Sequence, residues 1–510
     1  MLFIALVSFV LAIPIFAKKI TATLFSRITA IAFIYAAILS WNSIYYLPLS
    51  QGGIGIYSNL FHVSTITLGF QILLLIVAAM LLFAWGPILS KNLLPISANQ
   101  KVGIEKSVNP NFIHMNTVNE YSLLILFSVL GGCLLITSYN FVSMYMSIEL
   151  QSFAAYILCT LYRHSQSATA AGLKYFLLGS LASGIILLGT AVIYASTGIT
   201  NFEDLAVFIS VTDHLNNFIL ISVAGGILLI GIGYIFKVGA APLYNWSPDV
   251  YDGVPTIVTS WVSTIPKIGI LVCLLNLSFI VTGYNIEWDT IPTILNTISS
   301  SYAKPYQTLL LISAVLSFVV GSIVGLSQVR IKRLLTFSTI NHVGFLLLAL
   351  SVNTEESIEG FIFYLIQYSL TNVNTFLTIL AFGYISKGIL LPEKGSVREF
   401  TLLQDLKGQF YKNPLLVMSF AISLFSMAGI PPLMGFFAKQ MVLYSVSFNY
   451  SYVAIIAILT SVISASYYLK IVQLMFFNKE SVSTGIQKKI KKNLQIHLLL
   501  QQCIVQWLLF

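Results

Sequence analysis

Residues 217–246 read NFILISVAGGILLIGIGYIFKVGAAPLYNW, an apolar run that ends in a lysine and a Gly-Ala-Ala-Pro break. It is long enough for a helix to cross a bilayer core about 30 Å thick. Runs of this kind recur along all 510 residues, of which 57% are hydrophobic and 8% charged, with a mean hydropathy of +0.89. An average soluble domain carries about 25% charged residues. A soluble globular fold and a disordered chain are both excluded by that composition. A β-barrel is excluded because its strands alternate apolar and polar residues over about ten positions, whereas these runs are apolar on every side. The sequence describes an all-α polytopic membrane protein.

Hydropathy, with breaks at proline, glycine and charge, predicts roughly fourteen transmembrane helices: 2–17, 28–46, 67–88, 121–139, 141–161, 172–196, 217–246, 255–280, 308–327, 334–352, 359–386, 412–446, 453–476 and 493–510. Lysine and arginine collect in loops on one side of a membrane. Counted from the N-terminus, the odd connections hold 20 of the 26 such residues and the even ones hold only Lys304. This alternation supports the count and places both termini on the less basic side. The net charge of +9 is then a mark of topology, with no nucleic-acid role, and the basic loops face anionic membrane lipids or acidic partner surfaces. The first run has no basic segment before it and Lys18 and Lys19 after it, so it reads as a retained helix, not a signal peptide. Cys133, Cys159, Cys273 and Cys503 stand alone, without CxxC or nearby His, which argues against zinc, iron–sulfur and disulfide frameworks.

A repeat is visible at an offset of 188 to 190 residues. Gly172, Tyr175, Phe176 and Leu177 align with Gly360, Phe363, Tyr364 and Leu365, and Pro242-Leu243 with Pro432-Leu433. The sixth helix maps on the eleventh and the seventh on the twelfth. Five is odd, so the copies are inverted, an architecture of ion-coupled transporters whose sites lie at interrupted helices near the midplane. The expected organisation is three N-terminal helices over 1–115, a first repeat over 116–300 interrupted near 237–246, an inverted second repeat over 301–478 interrupted near 429–439, and a basic loop with a last helix over 479–510.

Charge inside the spans marks the candidate site. Lys174, Lys237, Lys267, Lys439 and Lys470 fall within predicted helices, and of the acidic residues only Glu149 does. A charge at a helix centre costs about 2.5 to 3.5 kcal/mol on insertion scales, so such residues face a protein interior or a water-filled path. Lys470, about six residues from the basic end of its helix, reads as snorkelling. Lys237 and Lys439 lie beside the breaks KVGAAPL and GIPPLMGF, and Lys267 lies in the span between. Proline frees carbonyls upstream, and freed backbone survives in a bilayer only where protein or water satisfies it. Burial brings lysine and glutamate toward neutrality, where a neighbouring charge decides whether the proton stays. Such a set is a proton relay. His342, mid-span in STINHVGF, is divided between a helix–helix hydrogen bond and a relay step, and Lys174 has a similar split. Glycine-rich segments such as Gly225-Gly226 read as close helix packing, without the context of a nucleotide fingerprint.

The run KVGAAPLYNWSPDVYDGVP at 237–255, followed by Lys267, resembles the subunit 2 family of the proton-pumping NADH:ubiquinone oxidoreductase, respiratory complex I. Glu149 in SIELQS, Lys174 in GLKYFLLGSLASG, His342 in STINHVGF and Lys439 in GIPPLMGFFAK match that family in order and spacing, from about residue 115 onward. The resemblance implies an antiporter-like subunit with no cofactor of its own; NADH, FMN, iron–sulfur clusters and ubiquinone belong to other subunits, and quinone reduction there drives proton movement here. It implies that Glu149 pairs with Lys237, that Lys267 is the central link and Lys439 the distal site, with Lys174 and His342 in support. Tyr244 departs from the family, where many relatives have a His, and its unperturbed pKa of about 10 makes it a poor carrier near neutrality. The implied partners are other membrane-arm subunits, including sister antiporter-like ones. A sodium/proton antiporter or membrane hydrogenase subunit and a non-pumping scaffold are the competing readings; WSPDVYDG separates the first, and intact buried charges oppose the second. Residue usage rich in Ile, Asn, Phe and Tyr suits an organelle-encoded protein of the mitochondrial inner membrane with its basic loops in the matrix, a bacterial plasma membrane being the alternative.

Overall fold

The computed structural model describes residues 1–16, 22–46, 53–83, 112–114, 120–162, 165–211, 217–282, 300–386 and 396–477. The predicted span 493–510 lies outside them. The first three helices are α1 (Leu2–Phe16), α2 (Ala22–Ile44) and α3 (Thr65–Phe83), with a hairpin of β1 (Ile54–Ile56) and β2 (Phe61–Val63) between the last two. Then come α4 (Glu120–Thr137), α5 (Phe141–Thr160), α6 (Gln166–Thr197), α7 (Phe202–Val211), α8 (Asn217–Val238), α9 (Trp246–Gly253) and α10 (Thr256–Thr282). The second half holds α11 (Ser300–Leu326), α12 (Ile331–Val352), α13 (Glu355–Ser386), α14 (Pro414–Ala428), α15 (Met434–Asn449) and α16 (Ser451–Phe476). Ten of these helices are long and apolar enough to cross a membrane, and Leu2–Phe16 and Pro414–Ala428 are shorter apolar ones. Each of the first thirteen predicted spans falls on helical structure, the twelfth, 412–446, on two helices, α14 and α15, that flank the second break.

Two details differ from the sequence reading. The expected span 217–246 stops at Val238, and WSPDVYDG is the short helix α9, not a loop. Residues 202–211, left as connection, form α7, because Phe202, Leu205 and Ile209 are buried along one face.

Contacts between connections test the alternation of sides. The hairpin before α3 meets the turn after α4, where Tyr139 N donates to the Leu60 carbonyl, and Asn59 Nδ2 donates to Glu203 Oε2 at 3.1 Å. Phe141 N donates to the Thr200 carbonyl, so the second, fourth and sixth connections share one side. On the other side β3 (Phe112–His114) pairs antiparallel with β4 (Ser396–Arg398), Ile331 N donates to the Thr401 carbonyl, and Asp252 of α9 pairs with Arg330. The third, seventh, ninth and eleventh connections therefore meet at the basic face. Odd touches odd and even touches even.

Packing recurs after five spans. The helix α4 lies on α5 and α10, as α11 lies on α12 and α16, and α6 lies on α8 as α13 lies on α14 and α15. The contact of α6 with α8 is close because a Cβ on Gly226 would stand 2.9 Å from the Gly189 carbonyl. At the centre, α12 is buried along its whole length. Single cysteines at Arg330 and Tyr57, both exposed, are expected to react with a membrane-impermeant maleimide from opposite sides of sealed vesicles. Labelling from the same side would overturn the topology.

Candidate functional site

The two breaks organise the site. Each α8-type and α14-type helix ends in a left-handed glycine, Gly239 at φ +78° and Gly429 at φ +84°. Gly239 N donates to the Ile235 and Phe236 carbonyls and Ala240 N to Ile235; 190 residues on, Gly429 N donates to Phe425 and Ser426 and Ile430 N to Phe425. This is one Schellman motif, used twice. Beyond it, Pro431 and Pro432 have no N–H, which leaves the Met427 and Ala428 carbonyls without helical donors. Lys439 Nζ donates to both of these carbonyls, at 3.0 and 2.9 Å. Its stem runs past Gly429, where a Cβ would stand 3.0 Å from Lys439 Cδ.

At the first break an indole reaches the helix end. Ala240 N turns back to Ile235, and the Phe236 carbonyl, which accepts from Gly239 N, also accepts from Trp246 Nε1 at 2.8 Å. Lys237 reaches across to α5. Its Nζ lies 3.1 Å from Glu149 Oε1 and 3.5 Å from Ser152 Oγ, and the two charged side chains are only 5% and 13% exposed.

Further along, Lys267 of α10 is fully buried, donates to Thr339 Oγ1 at 3.1 Å and lies 5.6 Å from the centre of the Tyr251 ring. One turn on in α12, His342 Nδ1 is 2.7 Å from the Tyr364 hydroxyl, and the Tyr468 hydroxyl is 3.4 Å from Nε2. Another turn on, Phe345 stacks on Tyr364 at 5.6 Å and receives the Lys439 ammonium 5.7 Å from its ring centre. Lys237, Lys267, His342 and Lys439 are buried within the membrane helices and Glu149 is mostly covered there, and α12 links Lys267, His342 and Lys439.

Lys174 lies elsewhere. It is half-exposed at the basic face and pairs with Asp249 of α9, which also lies 3.1 Å from Arg333 Nη2. Asp252 lies 2.5 Å from Arg330 Nη1 and 3.2 Å from Arg333 Nε. Beside this cluster, buried Lys332 donates to Glu399 Oε2 at 2.8 Å and to the Val254 carbonyl at 2.7 Å, and Glu399 Oε1 accepts from Thr256 N at 2.7 Å. Tyr244 packs its ring on Phe337 at 6.1 Å. Lys470 is exposed on α16. Among the described residues no group of three or more His, Cys, Asp or Glu is placed to hold a metal ion.

A family profile described as NADH:quinone oxidoreductase/Mrp antiporter, TM, matches residues 138–464. Over 481 residues the chain is 48% identical to NADH-ubiquinone oxidoreductase chain 2 of Rhizopus oryzae, covering 94% of this chain and 86% of that protein. The chain belongs to the NADH:ubiquinone oxidoreductase chain 2 family. It is also 36% identical over 369 residues to NADH-quinone oxidoreductase subunit N of Hydrogenovibrio crunogenus, covering 72% of this chain and 70% of that one. Its fold is that of a chain in the structure of respiratory complex I from Thermus thermophilus with bound aureothin, with a TM-score of 0.70 and 24% identity over 100% of this chain and 96% of that one.

The chain 2 family member carries site residues that charge counting overlooked: Thr339, Tyr364, Tyr468 and the Lys332–Glu399 pair. Their signal was present as period. In α12 the polar positions Lys332, Thr336, Thr339 and His342 recur every three or four residues, a stripe down one face. The Lys332–Glu399 pair ties the basic ends of α10 and α12 to the segment after α13. Lys332→Met, which strands a buried carboxylate, is expected to destabilise by about 3 to 5 kcal/mol. The double variant with Glu399→Gln recovers part of the loss, read as thermal stability of the assembled complex.

Proposed function

We propose that protons cross this subunit of NADH:ubiquinone oxidoreductase through Glu149, Lys237, Lys267, His342 and Lys439, driven by quinone reduction elsewhere in the complex. The observation that carries the reading is a succession of buried or mostly covered titratable side chains on α5, α8, α10, α12 and α15, at and between two helix breaks. Each amine has partners that suit the gain and loss of one proton. Lys237 is held charged by Glu149; at an effective dielectric of about 20, opposite charges about 4 Å apart attract by about 4 kcal/mol. Protonating or withdrawing the carboxylate removes that attraction and releases the Lys237 proton. Lys267 meets a neutral hydroxyl, so it is a receiver. His342, between two phenols, can pass a proton by exchanging which ring nitrogen bears it.

Lys439 is built for both states. An ammonium has three donors, and two are engaged by the Met427 and Ala428 carbonyls. The third is the transferable proton. A neutral amine retains two N–H groups, so the break remains capped after release.

In this reading the units are the two repeats over 116–300 and 301–478, and Lys174 in the basic-face cluster supports uptake. The chain itself holds no redox centre, its partners are the other membrane-arm subunits including sister antiporter-like ones, and it lies in the mitochondrial inner membrane with its basic loops in the matrix. The closer identity to the fungal than to the bacterial relative supports that location. A sodium/proton antiporter or hydrogenase subunit is disfavoured by the 94% coverage of the chain 2 match.

In assembled complex, Lys237→Ala is expected to lower NADH:quinone turnover and proton pumping together by about tenfold or more, with Glu149→Gln less severe. Normal pumping by fully assembled Lys237→Ala complex would overturn the route.

A further inference from the structure

Gln151 lies two residues beyond Glu149 and is 1% exposed, yet neither its Oε1 nor its Nε2 has a hydrogen-bond partner among the described residues. A buried amide left unbonded is destabilising by about 1 to 3 kcal/mol, and the surrounding helices are shaped to accept this one. A Cβ on Gly131 of α4 would stand 2.7 Å from Gln151 N, one on Gly132 would stand 3.1 Å from Nε2, and one on Gly269 of α10 would stand 3.5 Å from both amide atoms. Three glycines on two helices thus leave the room that the side chain occupies, close to where Lys267 sits on α10.

The same amide lines a cavity of about 20 Å3 together with Ser152, Lys237, Tyr156, Trp246 and Pro266. A cavity needs about 10 to 15 Å3 to hold one water molecule, and that water needs two to four polar partners. Gln151, Ser152 and Lys237 supply them. Pro266, the residue before Lys267, forms the far wall, and Trp246 connects that wall to Tyr251, whose ring faces the Lys267 ammonium.

We propose that Gln151 is a positioning residue that holds, with Ser152 and Lys237, the water through which Lys237 hands its proton toward Lys267. This rests on the relay reading above. In the step an N–H bond of the Lys237 ammonium breaks as an O–H bond of the cavity water forms, and a second O–H bond of that water breaks as its proton passes to a further water on the way to neutral Lys267, on which an N–H bond forms last; Lys267 itself does not line the cavity. Each water is left unchanged, and one positive charge has moved from α8 to α10. Gln151 acts by fixing the orientation of the water: its carbonyl accepts one O–H and leaves the other aimed onward.

The experiment compares Gln151→Met, similar in length and without hydrogen-bonding atoms, with Gln151→Glu and Lys237→Ala, each in assembled complex. Gln151→Met is expected to lower coupled turnover about tenfold and to enlarge its solvent deuterium isotope effect, while Gln151→Glu, which keeps the acceptor but adds a second carboxylate beside Lys237, restores the wild-type isotope effect without the full rate. Unchanged turnover and isotope effect in Gln151→Met, with Lys237→Ala inactive, would overturn the role of Gln151 and leave the relay standing. Normal pumping in Lys237→Ala would overturn the relay itself. Independently of any variant, a density map of the wild-type complex that resolves waters is expected to place one within hydrogen-bond distance of both Gln151 and Lys237. A dry cavity in that map would overturn the proposal.

Discussion

Backbone polar groups cannot be left unbonded in lipid, and this constraint decides the architecture around both breaks. Pro431 and Pro432 withdraw two donors in succession from one helix, which is tolerable only because Lys439 reaches back to the two carbonyls concerned. The buried charge and the broken helix explain each other. A lysine alone in that position would be a desolvated cation, and the proline pair alone would be two bare acceptors. Gly429 joins them, since its left-handed turn ends α14 and its missing side chain lets the lysine pass. At the first break Trp246 adds a donor to the Phe236 carbonyl at the helix end, and Lys237 turns instead to Glu149.

The helix α12 converts these separate solutions into one connected interior. At its basic end Lys332 is pinned by Glu399 and the Val254 carbonyl; then Thr339 receives Lys267, His342 sits between two tyrosines, and Phe345 lies under Lys439. These positions share one face at helical spacing, so a rigid rod sets their distances. Because α12 is enclosed by neighbours along its length, its polar stripe is exposed to protein groups and not to lipid. That is the condition under which polar residues persist in a membrane span.

Composition and charge were enough to read the positions and order of the first thirteen spans and the alternation of their connections, since both are global properties that survive errors of a few residues at each boundary. The breaks were legible for a chemical reason: Gly239 and Gly429 lack the Cβ that opposes a left-handed turn, and Pro242 and Pro432 have no N–H to donate in any context. The paired Glu149 and Lys237 were legible as isolated charges in apolar sequence. What could not be read was partnership across helices. That Lys174 meets Asp249 at the surface, and not the buried line, depends on α9 folding as a helix that turns its acidic residues toward Arg330 and Arg333. Likewise Gln151 is unremarkable in sequence, and only the packing of Gly131, Gly132 and Gly269 around it isolates its amide.

The two lysines at the breaks are not equivalent, although the breaks are. At the offset of 190 residues, Lys237 corresponds to Met427 and Lys439 to Asp249. The motif that ends the helix is repeated, whereas the charge is placed separately in each copy. The consequence is a difference in what each proton is tied to. Lys237 Nζ faces a carboxylate 3.1 Å away, so this end responds to electrostatics. Lys439 is bound to two carbonyls that have no other charge to offer, and those bonds survive the loss of one proton. One end of the buried line is thus switched by a neighbour and the other is held in place whatever its charge. In the proposed relay that asymmetry makes the two ends respond differently, although the helix breaks beside them are built twice on one pattern.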